Sequence, residues 1–155
     1  MRPLVWLAEG LGLGRIPVAP GTFGTLLGIP LYLALSDLLP WYLYLLVILA
    51  AMPVHAWICA AGARAYGVGD PGGVVWDEVV GMLIALTAAP PGWAAIVAGF
   101  ILFRAFDILK PFPIGWLDAR IRGGWGIMLD DVVAGFYALA ILQLLVHGWP
   151  GLFAR

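Results

Sequence analysis

Asp77 with Glu78, Asp107, and Asp130 with Asp131 are the residues of this chain best suited to do chemistry together. Seven of its nine carboxylates fall between Asp70 and Asp131, the other two of the seven being Asp70 and Asp118. Most of them sit at the ends of long apolar segments, in a chain that is 63% hydrophobic with a mean hydropathy of +1.00. A charge at the centre of a bilayer costs roughly 2.5–3.5 kcal/mol even on the mildest scale. A cluster of acids in such surroundings calls for a compensating cation, and a divalent metal is the simplest. Carboxylate-only ligands suit magnesium or manganese rather than zinc, and magnesium commonly bridges to phosphate oxygens. The candidate ligands are Asp77, Glu78, Asp107 and Asp131. Neighbours on a helix differ in direction by about 100°, so one member of each adjacent pair is expected to face the centre while the other flanks it. Any one pair also reads as solvated helix-start residues favoured by the macrodipole; five acids in one place read as a site.

Basic residues stand close by. Arg104, Asp107 and Lys110 are spaced by three and share one helix face just before Pro111. Arg104 offers a bidentate fork and Lys110 a point charge, a workable phosphate clamp. A plain salt-bridge ladder fits that spacing equally well. In Ala19-Pro20-Gly21-Thr22, Thr22 is a good N-cap, and a helix start with Gly21 beside it lets an anion approach free amides. In Gly123-Gly124-Trp125-Gly126, Gly124 and its neighbours could surround a phosphate with backbone N–H groups or make a tight turn. His55 and His147 read as packing or interfacial residues. There is no G-x-x-x-x-G-K-[ST] loop for a nucleotide and no G-x-S-x-G serine. Cys59 is alone, and a net charge of −1 carries no nucleic-acid footprint.

The elements that must position these residues are apolar. The fold class expected is all-α: a polytopic membrane helical bundle in one domain over residues 1–155, with about five apolar helices. The runs are 22–35, 41–61, 74–89, 93–109 and 131–146, and only the second comfortably reaches the ~20 residues a spanning helix wants. Met1 to Gly14 reads as a short interfacial helix broken by Gly10, Gly12 and Gly14, its apolar run ending at Glu9 and too short for a signal peptide. With five spans, one side of the membrane receives Arg2, Arg15, Arg64, Lys110, Arg120 and Arg122, and the other only Arg155. The positive-inside rule then places the N-terminus in the cytoplasm. Span order also puts Asp77, Glu78, Asp107, Asp130 and Asp131 at that same face.

Read together, these blocks resemble the phosphatidylglycerophosphatase A family of bacterial membrane lipid phosphatases. The residues that carry the likeness are Pro20-Gly21-Thr22-Phe23-Gly24, Val75-Trp76-Asp77-Glu78-Val79-Val80-Gly81, Phe103-Arg104 with Asp107 and Lys110-Pro111-Phe112-Pro113-Ile114, and Gly123-Gly124-Trp125-Gly126-Ile127-Met128 followed by Asp130-Asp131 and Ala134-Gly135. Asp70 and Asp118 also fall where the family has acids. The resemblance implies an Mg2+-dependent phosphomonoesterase of the bacterial inner membrane. It would convert phosphatidylglycerophosphate into phosphatidylglycerol and inorganic phosphate at the cytoplasmic face. On that reading Asp77, Glu78, Asp107, Asp130 and Asp131 are catalytic, and Thr22, Arg104, Lys110 and Gly124 bind substrate. A water activated by Asp130 or Asp131 and an aspartyl-phosphate intermediate are both open. The partners expected are a membrane lipid substrate and the bilayer, with no nucleic acid and no nucleotide; oligomeric state is not written in the sequence. The competing readings are a phosphatase for another lipid phosphate and a small ion pathway. The pathway is disfavoured because no charged residue occupies 83–89 or 132–145.

Overall fold

The computed structural model describes residues 3–69 and 71–153. The expectations resting on Arg2, Asp70 and Arg155 lie outside the described residues. Every regular element among those described is helical: α1 (Pro3–Ala8), a 3-10 turn (Leu13–Arg15), α2 (Pro20–Leu38), α3 (Trp41–Ala50), α4 (Met52–Tyr66), α5 (Trp76–Ala85), α6 (Trp93–Leu109), α7 (Ile114–Arg120), α8 (Gly123–Gly148) and α9 (Pro150–Phe153).

Two helices, α2 and α8, are long and apolar enough to cross a membrane, and α3 with α4 supplies a third candidate if the bent pair counts as one span. The expected run over 41–61 is therefore two helices meeting at Ala51 with a 49° bend. Pro53 stands in the first turn of α4, where its missing N–H is harmless. The run expected over 131–146 begins eight residues earlier, at Gly123, because the glycines read as a turn belong to the helix. The run over 93–109 is helical throughout as α6.

The expected span over 74–89 is the one most changed. Its helix, α5, has only 10 residues, about 15 Å at 1.5 Å per residue, half of a ~30 Å hydrocarbon core. It stops because Ala88 takes a left-handed φ of 55° and Pro90-Pro91 follow, neither of which a helix accommodates. A helix ending inside apolar surroundings must have its last carbonyls satisfied internally. Here side chains from three helices do so. Tyr44 of α3 donates to the Leu83 carbonyl at 2.7 Å. Tyr32 of α2 donates to Ala89 at 3.3 Å. Gln143 of α8 donates to Thr87 and Ala88, both at 3.1 Å.

The core gathers around α5 and α8, which pack on each other and on α2, α4 and α6. Glycine sets the closeness of their crossing. A Cβ on Gly135 would lie 2.6 Å from the Gly81 carbonyl, and one on Gly81 would lie 2.4 Å from the Phe103 ring and 2.9 Å from the Asp131 carbonyl. Small residues at such a contact let two backbones approach.

Candidate active site

Asp77 lies one turn before Gly81 on α5, and Asp131 lies one turn before Gly135 on α8. The close crossing therefore draws the two acids together. Asp77, Glu78 and Asp131 each offer a carboxylate oxygen, and these three atoms lie within 4.8 Å of one another. The expectation that only one of Asp77 and Glu78 would face the centre is corrected: the longer glutamate side chain reaches back beside its neighbour. Asp77 and Asp131 are 7% and 3% exposed, and Asp77 Oδ1, Glu78 Oε2 and Asp131 Oδ1 are buried without a hydrogen-bond donor.

The adjacent pair on α8 divides as its angular offset requires. Asp131 joins the three-acid centre, whereas Asp130 turns to Lys110, whose Nζ is 2.8 Å from Asp130 Oδ2 and 3.1 Å from Asp118 Oδ2. Burial works against the charged form of Lys110, but the Asp130 and Asp118 carboxylates outweigh it and hold the ammonium above its ordinary pKa. Asp118 is carried by α7, which the Pro111-Phe112-Pro113 turn brings back beside Lys110. Asp130 Oδ1 is also buried with no donor.

Asp107, expected as a fourth metal ligand, accepts a hydrogen bond from Arg104 Nη1 through Oδ2. The same Nη1 lies 4.0 Å from Glu78 Oε1, so Arg104 borders the acidic centre with its buried Nε unpartnered. Thr25 was not singled out in the sequence, where it is one polar residue in an apolar helix. It is fully buried, donates to the Gly21 carbonyl at 2.8 Å and accepts from Arg104 Nη1 at 3.5 Å. Gly21 is where α2 meets the site: a Cβ there would stand 2.1 Å from Glu78 Oε1 and 3.3 Å from Arg104 Nη1.

Two expected substrate contacts are placed differently. Thr22 is not the N-cap of α2; Ala19 holds that position, in a left-handed conformation, with Pro20 at the first helical residue. Gly124 packs α8 onto α4, where a Cβ would lie 1.9 Å from the Ala56 carbonyl. It is two turns before Asp131, roughly 10 Å along the helix, and not part of the acidic centre. His55 accepts the indole N–H of Trp76 at 3.1 Å and so steadies the residue before Asp77.

The donor set fits magnesium. It is all oxygen and partly shielded from solvent, and three of its oxygens lack a protein partner. Carboxylates this close repel one another strongly in poorly solvated surroundings, and the charge of Arg104 is already engaged by Asp107. A divalent cation answers that imbalance.

Fold and site together define a helical membrane protein with a buried carboxylate centre bordered by one fixed cation, Arg104. The phosphatidylglycerophosphatase A (PgpA) family profile matches residues 6–146, and the chain belongs to that family. It is 45% identical to the phosphatidylglycerophosphatase A of Escherichia coli K12 over 145 residues, 93% of this chain and 84% of that protein. Identity to the phosphatidylglycerophosphatase A of Haemophilus influenzae is 43% over 143 residues, 92% of this chain and 88% of that one. A Bacteroides thetaiotaomicron protein, provisionally named a phosphatidylinositol-3-phosphatase, is 39% identical over 146 residues, 90% of this chain and 91% of that one. No solved structure matches.

Proposed function

We propose that the chain hydrolyses the terminal phosphate monoester of phosphatidylglycerophosphate, giving phosphatidylglycerol and inorganic phosphate. The observation that carries this reading is the meeting of Asp77, Glu78 and Asp131 within 4.8 Å, beside Arg104, in a chain of this family. Asp77, Glu78 and Asp131 would hold Mg2+, which when bound would neutralise phosphate oxygens and acidify a water.

The chain's own groups do the rest. Arg104 presents its guanidinium to the equatorial oxygens of the phosphate, held in place by Asp107 and Thr25. Fixed cations of this kind act where charge develops in phosphoryl transfer. Lys110 stays charged and, between Asp130 and Asp118, partly offsets their charge and holds both carboxylates in place at the rim. Asp130 or Asp131, each with one oxygen free of donors, would orient or deprotonate the attacking water. At Gly21 the start of α2 packs directly against Glu78 and Arg104, where no side chain could fit, and so walls one side of the centre.

The reading extends to topology. The chain lies in the bacterial inner membrane as a multi-pass protein, with its N-terminus and acidic centre on the cytoplasmic side. Arg15, Arg64, Lys110, Arg120 and Arg122, which share one side when α2, the α3–α4 pair and α8 are the spans, support that orientation. The name of the Bacteroides relative favours one alternative, a phosphatase for an inositol lipid phosphate.

The test is phosphate release by the detergent-purified protein from phosphatidylglycerophosphate, phosphatidic acid and phosphatidylinositol 3-phosphate, with magnesium and then with excess EDTA. Magnesium-dependent release from the first alone is expected. Release from the inositol lipid alone would transfer the assignment to that substrate, and no release from any of them by folded protein would end the phosphatase reading.

A further inference from the structure

Glu9 is 3% exposed, stands immediately after α1 and is not one of the three grouped acids. A carboxylate so buried is costly unless both its oxygens are engaged. Here they are, by two separate segments. Arg15 Nε donates to Oε2 at 3.0 Å and its Nη2 forms an ion pair with the same oxygen at 2.9 Å, and the Tyr66 hydroxyl, from the end of α4, donates to Oε1 at 3.0 Å. The Glu9 carbonyl in turn accepts from the Gly12 and Gly14 amides at 3.1 and 2.8 Å. The turn between residues 9 and 15 is thus wound about one side chain.

That turn presses on the strand of chain feeding α5. A Cβ on Gly14 would fall 2.0 Å from the Gly73 carbonyl, and one on Gly73 would fall 2.5 Å from the Tyr66 hydroxyl. The Val75 amide donates to the Ala8 carbonyl at 2.8 Å. Val75, wholly buried, is clasped between Gly10 and Gly24, where added Cβ atoms would meet its side chain at 2.8 and 2.6 Å. Two residues further on is Asp77.

We infer that Glu9, Arg15 and Tyr66 form a latch that positions the first turn of α5, and with it Asp77 and Glu78. These are positioning residues; none of them touches the acidic centre. The inference rests on the proposed metal site for its functional consequence, but its structural consequence can be read without it.

The experiment compares wild type, Glu9→Gln and Tyr66→Phe as full-length detergent-purified proteins. Amide exchange over residues 71–80 is measured alongside Mn2+ affinity by calorimetry. Exchange at Val75 and the first turn of α5 is expected to quicken by about tenfold, the scale of one lost hydrogen bond to a charged group. Exchange within α8 should be unchanged. Mn2+ affinity should fall severalfold with the lipid KM unaltered. Unchanged exchange over 71–80 in both variants, or an equal rise along the whole chain, overturns the latch. Should Glu9→Gln not fold, Tyr66→Phe carries the comparison alone. Failure of the wild type to bind Mn2+ would sink the metal reading, and the exchange result would still decide the latch.

Discussion

Asp131 contributes to the centre an oxygen that no protein donor reaches, among acids of like charge. Asp131→Asn keeps the shape and removes the charge. Turnover is expected to fall by about a hundredfold or more, the scale of losing one transition-state interaction, while the thermal midpoint holds or rises because repulsion is relieved. Phosphate release and thermal unfolding measure the two. Thr25→Val removes the acceptor that steadies Arg104, so kcat should drop while Thr25→Ser retains it. Lys110 supplies the pH test. Its folded pKa is raised, so its stabilising effect is fully present below the unfolded value of about 10.4 and fades as pH climbs through the folded one. The stability gap between wild type and Lys110→Met should therefore be constant from pH 6 to 9 and close only in strong alkali; a gap that closed by pH 8 would contradict the raised value. The acids themselves are legible in sequence because charge stands out against an apolar background. Thr25 and Glu9 are not, since what they do depends on partners 79 and 57 residues away, Arg104 and Tyr66.

Helix α5 is held at both ends by other elements, and its middle is gripped through Gly81. Gly81→Ala would drive a methyl into the Phe103 ring and the Asp131 carbonyl. It should cost on the order of 1–3 kcal/mol and separate Asp77 from Asp131, abolishing activity. Gly72→Ala, where a Cβ meets nothing within 4 Å, is the silent control, and both are read by thermal unfolding and phosphate release. Tyr44→Phe leaves the Leu83 carbonyl without its donor and should cost about 1–3 kcal/mol with the chemistry intact. The limits of α6 were readable because Gly92 and Lys110-Pro111 punctuate it. The bend at Ala51 was not, since the apolar run passes through it without a polar residue. The early start of α8 was missed because Gly123 to Gly126 look like a turn, whereas Gly124 is there to admit the Ala56 carbonyl.

For the molecule as a whole, the number of apolar runs overstated the number of candidate spans. Hydropathy reports that a segment is buried and does not say whether lipid or protein buries it. Nearly all of α5 is enclosed by its neighbours, so its apolar residues answer to the bundle. The long helices α2 and α8 expose Leu26, Leu33, Phe136 and Leu144 and are the ones fitted to lipid. That division of labour has a consequence for the membranes in which the protein can work. A spanning helix meets a thicker or thinner bilayer by tilting, and α2 and α8 turn their outer surfaces to lipid. The two helices that carry the acids, α5 and α8, are locked to each other where Gly81 meets Gly135 and by Gln143, and α5 is tied besides by Ala8 at its start and Tyr44 at its finish, so they tilt as one body. Acyl-chain length should then change how the protein sits without changing the spacing of its carboxylates. Reconstituted in phosphatidylcholine of increasing chain length, it should keep a constant half-saturating magnesium concentration even where turnover varies with how readily the lipid headgroup arrives.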